Sequence, residues 1–79
     1  MSVTYIQSCF NRAKAQGASH MIMVCDTFDY EDYPVFVQSD LDVREEVRRM
    51  DGKNMQRVME VYKISLGWEA QSVGIVFNY

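Results

Sequence analysis

The chain changes its hydrophobic period several times. Val3, Ile6, Phe10 and Ala13 recur at the spacing of one helix face. Ser2 is a candidate N-cap, and Gly17 stands where a left-handed residue closes a helix. The pattern therefore predicts a helix from about Val3 to Gln16. Arg12 and Lys14 fall in its last turns, where cations suit the negative end of the helix dipole. His20-Met21-Ile22-Met23-Val24-Cys25 is then apolar on both alternating sets of positions and too short for a helix, which predicts a buried central strand. Asp26 to Tyr33 is an acidic, aromatic connection. Pro34-Val35-Phe36-Val37 predicts a second strand, with the proline at its start, where no ladder donor is lost.

Ser39 to Asp42 signals a helix start. Asp42 followed by Glu45 has capping-box spacing, and Asp40 is an alternative cap. Val43, Val47 and Met50 mark one face, and Asp51-Gly52 ends the helix. Glu45–Arg49 at i,i+4 supports it slightly, whereas Arg44–Arg48 opposes it. Met55 to Ile64 accommodates two patterns. Val58, Tyr62 and Leu66 fit a helix; Val58, Glu60, Tyr62 and Ile64 against Met59 and Val61 fit a strand. The strand is preferred, because the run is β-branched and aromatic and gives a last strand its neighbour. Val73, Ile75, Phe77 and Tyr79 alternate strictly, so Ser72 to Tyr79 reads as the clearest strand, with Leu66 to Gln71 as its connecting loop. The predicted fold is α+β: a two-layer αββαββ domain over residues 1–79, with a four-stranded, mostly antiparallel sheet and two helices on one face. The other face would carry residues such as Met23, Tyr62 or Phe77, which a homodimer or a partner would cover.

Composition narrows the classes. Seventy-nine residues, 48% hydrophobic and 24% charged, make one globular domain and exclude a large catalytic scaffold or a dinucleotide-binding domain. Six methionines suit an irregular core. A net charge of −3, from 11 acidic and 8 basic residues, argues against a general nucleic-acid binder, which needs an excess of Lys and Arg. The N-terminus shows no basic segment followed by a long apolar stretch, so no signal peptide is expected. The longest apolar run, Met21 to Cys25, is far too short to cross a membrane. The expected compartment is the cytoplasm, with Cys9 and Cys25 as reduced thiols.

Candidate chemistry is sparse. No glycine-rich phosphate loop, nucleophile elbow, zinc motif or C-x-x-C pair is present, so nothing points to an enzyme or a cofactor. His20, the single histidine, reads as a turn-adjacent residue with a structural hydrogen bond. Asp26, Asp29, Glu31 and Asp32 are interleaved with Phe28, Tyr30 and Tyr33. This cluster lacks the spacing and glycine of a calcium loop. Its bland reading is a solvated hairpin connection. Its functional reading is a partner-binding patch of Asp26, Asp29, Tyr30, Glu31, Asp32 and Tyr33, in which carboxylates meet basic side chains and rings supply contact area. A basic block follows, with Arg44, Arg48, Arg49 and Arg57 as candidate phosphate contacts, diluted by Glu45, Glu46, Asp51 and Glu60.

Two stretches, Ala18 to Val37 and Asp51 to Tyr62, together about two-fifths of the chain, resemble small bacteriophage- and prophage-encoded proteins of uncharacterised role. The resemblance implies a viral accessory protein acting in the host cytoplasm. Some proteins of that kind are anti-CRISPR or other anti-defence inhibitors that bind a host protein complex. They share no motif, so the resemblance assigns no site residues, and the modest acidity here departs from inhibitors that imitate DNA. The alternative readings are a self-associating structural or interaction domain, a homodimer without an inhibitory role, and, behind it, a nucleic-acid accessory protein using the arginines of the basic block.

Overall fold

The computed structural model describes residues 3–72 and 74–79. Helix α1 spans Val3–Ala15 and buries Ile6, Cys9, Phe10 and Ala13, close to the predicted face. It closes in a Schellman turn. Gly17 N–H donates to the Lys14 carbonyl (3.1 Å) and Ala18 N–H to the Ala13 carbonyl (3.0 Å), with Gly17 at φ 73°. The expected cap Ser2 lies outside the described residues.

Strand β1 (His20–Asp26) pairs antiparallel with β2 (Asp32–Val37) on one side and with β3 (Gln56–Lys63) on the other, giving the order β2-β1-β3. Helix α2 (Val43–Met50) lies between β2 and β3 in sequence. Asp42 caps it, its Oδ1 accepting from Arg44 N–H (2.9 Å). Glu45 makes no return bond to Asp42 of the capping-box kind; it pairs with Arg48 instead.

The two helices lie on opposite faces of the sheet, not on one. Met21 and Met23 of β1 pack with Ile6, Cys9, Phe10 and Ala13 of α1 and with Tyr62 of β3. Ile22 and Val24 point the other way and pack with Val43 and Val47 of α2 and with Val35, Val37, Val58 and Val61. This is why β1 is apolar at successive positions: all four of Met21 to Val24 are completely buried. At roughly 2 kcal/mol per buried side chain they contribute on the order of 8 kcal/mol of transfer free energy, comparable to the whole stability of a small domain. Among the described residues each face of the sheet carries one helix, so the helix-free apolar face for which a homodimer was expected is not formed.

The sheet has three strands, not four. A short 3-10 turn (Ile64–Leu66) follows β3, and Trp68 folds back onto Phe10 and Tyr62, its ring stacked 5.9 Å from Tyr62. The chain then returns alongside β3 in the same direction. It meets β3 at one parallel bridge, Val61 with Phe77. Val61 N–H donates to the Val76 carbonyl (2.8 Å), and Asn78 N–H donates to the Val61 carbonyl (2.9 Å). The strand expected from Ser72 to Tyr79 is not formed; Val73 lies outside the described residues, and over Ile75 to Tyr79 the burial is the inverse of the expected one: Val76 is buried, whereas Ile75 (81%), Phe77 and Tyr79 are exposed.

Gln71 explains why pairing stops there. Its side chain accepts from Lys63 N–H (2.8 Å) and donates to the Lys63 carbonyl (2.7 Å), filling the edge sites that a further strand residue would use. β3 also carries an irregularity. Met23 faces Glu60 but Val24 faces Val58, so Met59 is an extra residue. The bulge puts Val58 and Val61 on the α2 side and Glu60 and Tyr62 on the α1 side, a phase that no uninterrupted alternation supplies.

The opposite edge of the sheet is blunted. Asp26 N–H donates to the Glu31 carbonyl (2.7 Å), and alternation from that pair turns the backbones of Asp32, Pro34 and Phe36 outward. Pro34 has no donor there, and Tyr5 Oη donates to the Asp32 carbonyl (3.4 Å). Among the described residues no helix is long and apolar enough to cross a membrane.

Candidate functional site at the hairpin end

The β1–β2 hairpin turns through Thr27 to Tyr30. Two aspartates build the turn. Asp26 Oδ1 accepts from Phe28 N–H (2.8 Å), and Asp29 Oδ1 accepts from Glu31 N–H (3.3 Å). Tyr30 N–H closes onto the Asp26 carbonyl (2.7 Å), and Tyr30 itself is left-handed, at φ 59°. A bulky side chain in that region costs about 1–2 kcal/mol. Its ring recovers little of this by burial, because Tyr30 is 79% exposed and Phe28 is 74% exposed.

The turn between α2 and β3 lies against this tip. Thr27 N–H donates to the Met55 carbonyl (2.7 Å). Met55 is also left-handed, at φ 58°, and exposed. Phe28, Tyr30 and Met55 therefore project from one end of the sheet. Sequence reasoning had the first two inside its acidic–aromatic cluster but missed Met55, whose place at the tip follows only from the β1–β3 register.

The six predicted contact residues divide. Asp29, Tyr30 and Glu31 are exposed at the tip, and Asp26 is half-buried at the end of β1. Asp32 and Tyr33 are half-buried in β2. Tyr33 packs on the α2-side core, and its hydroxyl accepts from Gln56 Nε2, so it supports the fold rather than the surface. The ion pairs among the described residues both lie within α2, so none of the tip carboxylates is neutralised by a cation of this chain.

The predicted basic set is dispersed. Arg48 pairs with Glu45 and Arg49 with Glu46 (3.4 Å), both at i,i+3 rather than the i,i+4 spacing of Glu45–Arg49. The Arg44 guanidinium lies 4.5 Å over the Tyr79 ring. Arg57 faces Cys25 across the β1–β3 ladder and lines a groove of about 420 Å³ with Met59, Glu60, Ile75 and Phe77. Three of the four arginines are thus engaged within the chain, and they do not converge on one phosphate-sized site.

Comparison with protein-family models, curated proteins and solved structures returns no match. The local chemistry has to speak for itself. Among the described residues no three His, Cys, Asp or Glu side chains are grouped to hold a metal ion. Cys9 and Cys25 are free thiols, Cys9 buried and Cys25 half-buried. Burial and the neighbouring Asp32 push the Cys25 thiol up, away from the thiolate that nucleophilic chemistry needs. Burial and the Glu60 carboxylate, which accepts from Tyr62 Oη (2.9 Å), likewise push the Tyr62 hydroxyl up. What the hairpin end offers is a shaped contact surface: exposed rings and a thioether on a turn fixed by side-chain hydrogen bonds, bordered by unpaired carboxylates.

Proposed function

We propose that this protein is a non-catalytic binding module. It is a phage-type accessory protein that docks onto a host protein complex in the cytoplasm and blocks it, in the manner of anti-defence inhibitors. Its working surface is the acidic–aromatic hairpin end. The observation that carries this reading is the exposure of Phe28 and Tyr30 on a turn that Asp26 and Asp29 hold in place. Large exposed rings on a rigid support lose little conformational entropy on docking, and aromatic side chains dominate the energetics of protein interfaces. Asp29 and Glu31 beside them would steer a basic partner surface to the tip. The host-directed part of the proposal rests on the resemblance of Ala18–Val37 and Asp51–Tyr62 to phage proteins.

The test is affinity capture from host lysate with mass spectrometry of the bound proteins. Wild type is compared with Phe28→Ser/Tyr30→Ser and with Asp29→Lys/Glu31→Lys, both checked for folding by thermal melting. Loss of one and the same captured complex in both variants is the expected result. Undiminished capture by either folded variant refutes the assignment of the surface.

A further inference from the structure

The C-terminal segment Gly74–Tyr79 meets β3 at one bridge, Val61 with Phe77, and the two part toward the start of β3, where Met59 bulges. The gap between them is the groove of about 420 Å³. Val58 and Met59 form one wall, and Ile75 and Phe77 form the other. Ile75 is 81% exposed and Phe77 47%, so no described part of the chain covers that second wall. Two charged residues complete the lining. The Glu60 carboxylate is taken up by the Tyr62 hydroxyl (2.9 Å). Arg57 is exposed, and among the described residues it has neither an ion pair nor a ring beneath it.

The groove opens beside the hairpin end. Arg57 faces Cys25, the residue before the turn-building Asp26, and Met55, two residues earlier, bonds Thr27 of the turn. The two neighbouring surfaces are complementary. The tip offers the exposed rings of Phe28 and Tyr30 and the unpaired carboxylates of Asp29 and Glu31. The groove offers apolar walls and an unpaired guanidinium. Within one chain they do not meet, because the turn is fixed by Asp26 and Asp29 and both rings stay in solvent. Complementary halves that lie side by side on one molecule meet when a second copy is turned about a two-fold axis between them. That is the isologous arrangement of most homodimers.

We propose that this end of the molecule is a two-fold homodimer interface: Phe28 and Tyr30 of each copy enter the partner's Met59–Ile75 groove, and Asp29 and Glu31 meet its Arg57. The interface lies at the end and edge of the sheet, not on a sheet face. An aromatic ring buries about 150–250 Å², so four rings and the walls they cover clear the roughly 1,000 Å² that a specific interface needs. The exposed charges steer the encounter and fix which half meets which. The dimer draws on the tip and groove geometry and not on the host-directed reading. A host partner using the same tip would compete with the second copy.

Sedimentation velocity of the purified full chain, from about 1 to 200 µM, tests this. Wild type is expected to pass from monomer to dimer over that range, and several-fold less readily in about 1 M salt. Arg57→Glu and Asp29→Lys/Glu31→Lys, each checked for folding by thermal melting, are each expected to weaken the dimer at least about tenfold. Mixed in equal amounts, the two variants are expected to pair again, because the reversed tip of one meets the reversed groove of the other at both contacts. A wild type that stays monomeric throughout overturns the proposal, as does a dimer indifferent to both folded variants or a mixture no more associated than its components. No host component enters this measurement, so a monomeric result leaves host capture standing, and failed capture leaves the dimer standing.

Discussion

Replacing Gln71 with leucine should unfasten the region beyond β3. Gln71 is 3% exposed, and its amide makes four hydrogen bonds. Nε2 donates to the carbonyls of Lys63 and Gly67, both at 2.7 Å. Oε1 accepts from Lys63 N–H (2.8 Å) and from Asn78 Nδ2 (3.0 Å). Leucine fits the volume but strands all four partners. A typical net loss is about 1 kcal/mol per bond, and more for a group left dry. Lys63 and Asn78 are half-exposed, so water recovers part of the loss, and the expected destabilisation is about 2–4 kcal/mol. For a domain of 79 residues, about 3 kcal/mol lowers the melting temperature by roughly 12–24 °C. Urea denaturation followed by Trp68 fluorescence measures this directly, because Trp68 packs on Phe10 and Tyr62 next to the clamp. Gln71→Glu is the control. It keeps the acceptor but sets a carboxylate oxygen against two carbonyls, and it should cost at least as much. A loss below about 0.5 kcal/mol for Gln71→Leu would show that the clamp is solvated and that another contact ends the sheet.

Other substitutions separate support from surface. Tyr30→Gly removes a left-handed strain without removing a buried contact, so stability should change between zero and a gain of about 1 kcal/mol while partner capture falls; a loss above about 1 kcal/mol in melting experiments would mean that the ring holds the turn. Ile22→Ala opens a hole on the α2 side of the central strand and should cost about 2–5 kcal/mol by chemical denaturation, more than any single change at the tip. Asp42→Ala deletes the α2 cap and should cost about 1 kcal/mol in the same assay. Cys25 should react with iodoacetamide more slowly at pH 7 than a free cysteine model, because its thiol is pushed up; a faster rate would show an activating environment that the fold does not display.

The local elements were legible in the sequence because their signals are local. The apolar face of α1, its Gly17 stop and the Asp42 cap each depend on neighbours within one helical turn. The five apolar residues Met21 to Cys25 marked a central strand, and their lack of alternation already carried the key to the architecture: a strand buried on both sides needs cover on both sides. Reading both helices onto one face ignored that requirement. The hairpin end was half legible. Composition marked the acidic and aromatic residues between Asp26 and Tyr33, but it could not separate Tyr30, which points to solvent, from Tyr33, which bonds Gln56 and packs in the core.

The last strand shows where sequence patterning stops. Alternation in Val73 to Tyr79 states that neighbouring side chains point oppositely, but it does not state which side is buried or what the backbone pairs with. Those depend on the bulge at Met59, on Gln71 occupying the Lys63 edge, and on the turn that brings the chain back parallel to β3. Each is a contact between residues far apart or a one-residue shift, and neither leaves a periodic mark. By itself, then, the sequence determined the helices, the central strand and the acidic–aromatic tip, because backbone propensity and burial periodicity act over a few residues. Only the tertiary structure decided that the helices sandwich the sheet, that the fourth strand is a strap held at one bridge, and that Met55 joins Phe28 and Tyr30, because these follow from register and chain reversal.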